Sequence, residues 1–210
     1  EKIVRKIIAE YKLTVRIKRR NKYNSYKGDI SSAVPNIIER DFDADAPNKK
    51  WLTDIMEFGI PAGKVYLSSI VDCFDGMLPA WKISTTPDAH LANSMLDDAI
   101  RTLNDNEHPI VHTDQGCHYR WLGWISRMEE AGLSRSMSKK GCSPDNSACE
   151  GFFGRLKNEM FYNRNWAGVT LEEFIEILNE YLVWYNETRI KTSLGNMSPL
   201  EYRRNLGLTS

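Results

Sequence analysis

From Trp51 onward apolar and polar positions fall into regular patterns, and they predict a succession of strands and helices. WLTDIMEF (51–58) is short and β-prone, KVYLSSIVDCF (64–74) is a longer strand, Asp75-Gly76 is a hairpin turn signal, and MLPAWKIS (77–84) is a third strand. Over 88–104, Leu91, Met95, Ile100 and Leu103 fall near one side of a helix. The strand PIVHT (109–113) ends at Asp114, and a helix around 121–131 and a brief strand at LSRSM (133–137) follow. A loop, SKKGCSPDN (138–146), leads to a helix over 147–162, and a long helix over 170–187 precedes a polar tail. Hairpin-linked strands followed by helix–strand–helix–strand predict an α/β domain on a mixed sheet.

The first fifty residues lack this texture. Ile3, Val4, Ile7 and Ile8 predict a short amphipathic helix over 1–13. VRIKRRNKYNSYKGD (15–29) is basic with interleaved Tyr23 and Tyr26, and 28–50 is a linker broken by Pro35 and Pro47. The chain thus divides into an arm and linker over 1–48 and a core with a helical C-terminal extension over 49–210. Charge sharpens the division. The formal net charge is zero, yet residues 1–28 hold ten basic against two acidic side chains, and residues 51–132 hold five against twelve. A basic arm ahead of an acidic core suits a polyanion-binding element attached to a site that collects cations, with a solvated arm as the plainer alternative. No apolar run is long enough for a membrane span, and EKIVRKIIAE is no signal peptide. The four cysteines form no CxxC pair and the four histidines no zinc spacing, so reduced thiols and a cytoplasmic setting are expected.

Three carboxylates carry the candidate chemistry. Asp114 ends a strand where Gly116 lets the backbone turn, a position where open α/β sheets bind ligands. Asp54 lies inside a strand, where a buried carboxylate needs a counter-charge or a metal; an outward Asp on a wet sheet face is the alternative. Glu150 borders the stripe of Cys149, Phe152, Phe153, Leu156 and Met160 on a helix that Ser143 and Pro144 can start, and a plain helix-surface Glu is its alternative. Lys157 points within about 20° of Glu150 but roughly 10 Å along the axis, too far for an ion pair yet placed to sit beside a bound anion. Three hard oxygen ligands allow a two-Mg²⁺ phosphodiester site.

At these residues the chain resembles a known family. KKWLTDI, HTDQGCHY and KKGCSPDNSACEGFFGRLKNE, with YNETRIKTSLGNMSPLEYRR, are similar to the signatures of insertion-sequence transposases of the IS-three type (the orfB product), within the retroviral-integrase-like D,D,E superfamily. Thirty-five residues separate Asp114 from Glu150, the spacing that names the D,D(35)E group. The resemblance covers about 50–205. It implies an RNase H-like mixed five-stranded sheet flanked by helices, with Asp54 on the first strand, Asp114 just after the fourth and Glu150 on a later helix. It implies DNA contact by Lys157 near the scissile end and an active-site loop shaped by Asn146. The basic charge of the arm assigns phosphate contacts to Arg19, Arg20, Lys22 and Lys27, and Lys139 and Lys140 are expected to bind DNA as well. Residues 1–27 resemble the end of the region preceding the core, so the family's helix-turn-helix and coiled-coil parts are expected outside these residues.

The implied activity is DNA transposition: cleavage at the 3′ ends of the element and strand transfer, with two Mg²⁺ ions per site, Mn²⁺ substituting. The implied partners are double-stranded DNA, as element ends and target, and further copies of the chain in a homo-oligomer on paired ends. Work on the bacterial nucleoid and no membrane association are expected. A DNA-binding remnant acting as repressor, and an RNase H-like nuclease without strand transfer, are the alternatives. Gln115 and Met56 depart from residues frequent in the family beside Asp114 and Asp54, which puts full activity in question. Trp121, Trp124, Trp166 and Trp184 are expected to pack in the core or between helices.

Overall fold

The computed structural model describes residues 2–11, 31–139 and 143–208. Lys2–Glu10 forms helix α1. Lys50–Ile60 (β1) and Gly63–Asp72 (β2) pair antiparallel from Trp51–Asp72 to Ile60–Gly63, turning through Pro61 and Ala62. Trp81–Ser84 (β3) adds to the free side of β2. Ala89–Ile100 (α2) starts where the Asp88 side chain accepts from the Leu91 N–H at 3.0 Å, satisfying one of the helix's orphan donors. Ile110–Thr113 (β4) runs parallel to β1, Leu122–Glu130 (α3) crosses back, and Ser134–Met137 (β5) runs parallel to β4. The five-stranded sheet has the order β3-β2-β1-β4-β5, mixed as the pattern predicted.

Because side chains alternate across a strand, β1 divides two cores. Leu52, Phe58 and Ile60 join Val65, Leu67 and Val71 of β2 under Ser147–Leu156 (α4) and Leu171–Glu187 (α5), which supply Phe152, Phe153, Leu156, Phe174, Leu178 and Leu182. On the other face Trp51, Ile70 and Val111 pack on Leu91, Met95 and Leu96 of α2 and on Trp124 and Met128 of α3. Capping boxes start α5 (Thr170, Glu173) and Pro199–Asn205 (α6; Ser198, Glu201).

Several expectations need correction. The hairpin at Asp75-Gly76 is not tight: β2 ends at Asp72 and β3 begins at Trp81. The Asp72 N–H donates to Met77 O at 2.9 Å, and Gly76, at φ +72, donates to Asp72 O at 2.8 Å. The turn instead delivers two carboxylates inward: Arg203 of α6 donates to Asp72 (2.8 Å) and to Asp75 (2.6 and 3.1 Å). The helix over 147–162 is α-helical only to Leu156 and closes in a π turn, Lys157–Phe161. Trp121 and Trp124 are buried and Trp166 stacks on Phe161, but Trp184 is 43 % exposed on the outer face of α5. Residues 31–48, which the sequence presents as linker, lie against the core, with Ile38 buried and the N–H of Met137 on the edge strand β5 donating to Pro35 O. Cys73, Cys117 and Cys149 are free thiols. Among the described residues no helix is long and apolar enough to cross a membrane.

Candidate active site

Strand register brings the two aspartates together. Leu52 is the parallel partner of His112, so two residues further along each strand Asp54 and Asp114 come side by side. Asp54 is half-buried in β1 opposite Ser69, and its Oδ1 accepts from the Ile55 N–H at 2.7 Å. Asp114 follows the last residue of β4, and its Oδ1 accepts from the Gly116 N–H, also at 2.7 Å. Gly116 is needed for proximity: a Cβ there would stand 2.7 Å from that carboxylate oxygen. Glu150 comes from the first turn of α4, which the buried Cys149, Phe152, Phe153 and Leu156 fix on the β1–β2 face; its own side chain is exposed.

Electrostatics tie the three together. Burial pushes the Asp54 carboxyl up from 3.8 to about 6, the Asp114 carboxylate adds to that push, the Ile55 N–H opposes it, and Glu150 raises it further. Burial likewise raises the Cys149 thiol, helped by Asp54, Asp114 and Glu150, and the Tyr119 phenol, helped by Asp54 and Asp114. Asp54 and Asp114 line a cleft of about 310 Å³ with Glu57, Tyr66, His118 and Tyr119.

The donor set is three carboxylates, all hard oxygen, the chemistry Mg²⁺ selects. The repulsion that raises Asp54 is one a divalent cation relieves, so these residues fit such an ion. As placed, no three His, Cys, Asp or Glu side chains among the described residues stand close enough to hold a metal. Asp54 and Asp114 are each folded onto a backbone N–H, and Glu150 faces solvent.

The other expected residues are placed unevenly. Lys157, half-buried at the end of α4, acts on Glu57 at the rim of the cleft, although Lys64 dominates in lowering that carboxyl. Asn146 is 6 % exposed and its Oδ1 has no hydrogen-bond partner, so it faces the protein. Lys139 is exposed, with its backbone N–H on Asp145. Lys140, Arg19, Arg20, Lys22 and Lys27 lie outside the described residues. Gln115 donates to Ser138 O at 3.0 Å and Met56 packs against the core under α4 and α5. Sequence reasoning missed Asp145, buried just ahead of α4, and His112, buried on β4 two residues before Asp114. Neither lies on a periodic face; their signal was their place in the quoted stretches, His112 at the head of HTDQGCHY and Asp145 in the Asp-Asn step before the helix.

Residues 44–143 and 150–206 match models described as integrase core domain. The probable transposase of insertion sequence element IS1353 of Shigella flexneri is 60 % identical over 210 residues, 100 % of this chain and 41 % of that protein. The chain therefore spans less than half the length of that relative. A transposase-like protein of Haemophilus influenzae is 40 % identical over 182 residues, 87 % of this chain and 83 % of that one. Among solved structures, the HTLV-2 integrase catalytic core in complex with magnesium (trimeric form) superposes with a TM-score of 0.56 at 16 % identity, covering 75 % of this chain and 97 % of that one. That likeness is one of fold, the RNase H-like fold.

Proposed function

The chain belongs to the integrase-core transposases of insertion sequences, and from that premise we propose that it cleaves the 3′ ends of its element and transfers them to target DNA, with Asp54, Asp114 and Glu150 as the catalytic carboxylates. The observation that carries the reading is geometric: the β1–β4 register sets Asp54 beside Asp114 in one cleft, with Glu150 in the first turn of the helix packed on that face, and burial together with these two acids raises the Asp54 carboxyl. Asp54, Asp114 and Glu150 would hold a pair of Mg²⁺ ions, for which Mn²⁺ would substitute, and the ions would supply Lewis-acid stabilisation of the attacking and departing oxygens. The magnesium named with the HTLV-2 core supports the choice of ion.

The chain's own groups set the geometry. The β1–β4 register fixes one carboxylate within a strand and a second just after one, and the Asp54 carboxyl, raised by burial and its acid neighbours, would be held as the anion by a bound cation. Water attacks the phosphodiester at the element's end, the bond from phosphorus to the 3′ oxygen breaks, and a 3′-OH is left. That hydroxyl then attacks a second phosphodiester in line, forming a new P–O bond as the target's 3′ oxygen leaves, so no covalent enzyme intermediate is required. Lys157, at the rim of the cleft, steadies the phosphate beside the scissile bond; Lys139, Lys140, Arg19, Arg20, Lys22 and Lys27 neutralise phosphates further out, making binding steeply salt-dependent. Asn146 shapes the turn into α4 from inside. Residues 1–48 serve as a DNA-binding arm and a connecting segment whose later part, from residue 31, packs on the core, and 49–210 as the catalytic unit. The protein works in the cytoplasm as a homo-oligomer on paired double-stranded ends.

Joining of a 3′-end oligonucleotide into plasmid DNA tests this reading with wild type, Asp114→Asn and Glu150→Gln, in Mg²⁺, Mn²⁺ or EDTA. Joined products that need the metal and vanish in both variants are expected. Nicks without joining would turn the reading into a nuclease, and DNA binding unaffected by metal or substitution into a non-catalytic binder.

A further inference from the structure

No strand holds Glu150; the chain enters its helix through Asp145, which is tied from elsewhere. Asp145 is 2 % exposed. Its Oδ1 accepts from Arg40 Nε at 2.7 Å, and its Oδ2 from Asn36 Nδ2 at 3.2 Å and from the Lys139 N–H at 3.0 Å. Its carbonyl lies 2.9 Å from His112 Nε2. A carbonyl only accepts, so the proton of His112 is on Nε2 and its Nδ1 accepts from Ser136 Oγ at 2.9 Å. That hydroxyl accepts in turn from the Ile37 N–H at 2.9 Å. The strap 31–41 therefore grips the turn before α4 twice, directly through Asn36 and Arg40 and indirectly through Ser136 and His112.

The strap is bent to do so. Glu39 and Arg40 both have left-handed backbones, φ +50 and +70, which L side chains disfavour. The bend is held by Asn36, whose Oδ1 accepts from the Glu39 N–H at 2.9 Å while its amide nitrogen reaches Asp145. Consecutive strained residues persist only where their surroundings over-determine them, and here the bend delivers the Arg40 guanidinium to Asp145.

We propose that Asn36 and Arg40 are positioning residues for Glu150: by clamping Asp145 they fix the first turn of α4 and with it the third carboxylate of the trio. The inference rests on the catalytic reading above. Its logic is that of outer-shell partners in metal sites, which orient a ligand without touching the ion and cost roughly 10–100-fold in metal affinity when removed.

The test compares wild type, Arg40→Ala, Arg40→Lys and Asn36→Ala in two readouts: amide hydrogen exchange by mass spectrometry, and Mn²⁺ binding by electron paramagnetic resonance. The Arg40 side chain is 54 % exposed, so its removal leaves the fold standing, which a thermal melt checks. Arg40→Ala should speed exchange over 143–150 roughly tenfold, leave β1 and β2 unchanged, and weaken Mn²⁺ binding roughly 10–100-fold. Asn36→Ala should do the same to a lesser degree, and Arg40→Lys should recover part of the loss. Exchange over 143–150 that stays at the wild-type rate, or Mn²⁺ affinity that stays put while exchange rises, overturns the clamp. A wild type that holds no Mn²⁺ overturns the carboxylate reading and the inference with it; a wild type that binds alongside variants that bind equally overturns the clamp alone.

Discussion

Asp72 and Asp75 at the end of β2, and Asp54, Asp114 and Glu150 about β1, β4 and α4, are two groups of acids gathered around one sheet, and Asp72 lies three residues along β2 from Ser69, the cross-strand partner of Asp54. The first group has a cation at hand: Arg203 donates three bonds to it, and backbone N–H groups of Asn48 and Phe74 also serve Asp72, although burial still holds the Asp72 carboxyl above its ordinary range. The second forms no ion pair among the described residues, and burial, with Asp114 and Glu150 beside it, raises the carboxyl of Asp54. Burying unpaired carboxylates is costly. Among the described residues an arginine serves only the first group; on the function proposed above, the first group serves stability and the second an ion that arrives from solution. Removing charge should therefore act with opposite sign on stability in the two places.

The largest break is functional. Asp54→Asn or Asp114→Asn should lower strand joining on the order of 10⁴-fold, read in a single-turnover assay, while the metal-free variants stay folded. Next is the structural acid pair: Arg203→Met leaves two buried carboxylates without their cation and should destabilise the fold by about 3–5 kcal/mol, read as a lowered urea midpoint. Smaller is Gly116→Ala. Its methyl must displace the Asp114 carboxylate, and a misplacement of that kind should cost roughly 10²-fold in joining with little change in melting temperature.

The smallest effect carries the sign that separates the groups. The folded carboxyl of Asp54, at about 6, lies above its ordinary 3.8, so the folded state favours the protonated form. Its contribution to stability is complete below about pH 4 and is lost as pH rises through about 6. In EDTA, wild type should lose about 1–3 kcal/mol between pH 4 and pH 7, and Asp54→Asn should escape that loss and be the more stable protein at pH 7. A wild-type urea midpoint that stays flat across that window would remove the repulsion from the argument.

The functional group was the more legible of the two in the sequence. Asp54 interrupts an apolar strand and Asp114 ends one, so period-two patterning exposes both, and Glu150 lies at the border of a readable helical stripe. What stayed hidden depends on pairs distant in sequence. Asp75-Gly76 looked like a tight hairpin because nothing local announces Arg203, 128 residues away. Pro35 and Pro47 made 28–50 look like linker, while the bonds from Asn36 and Arg40 to Asp145 span 109 and 105 residues and leave no periodic trace. The π turn after Leu156 was hidden because its residues are ordinary helix formers.

The Arg203 network also orders events during synthesis. Asp72 leaves the ribosome 131 residues before the guanidinium that completes it, a delay on the order of 10 s at usual elongation rates. Until then the turn after β2 carries two carboxylates that resist burial, so that corner of the nascent sheet stays hydrated and the β1–β2 hairpin cannot close its core there. Arrest of translation between residues 150 and 203 would leave a chain that already holds Asp54, Asp114 and Glu150 yet lacks the guanidinium that ties Asp72 and Asp75. Docking of α6 through Arg203 should therefore be among the last contacts to form as the chain is made.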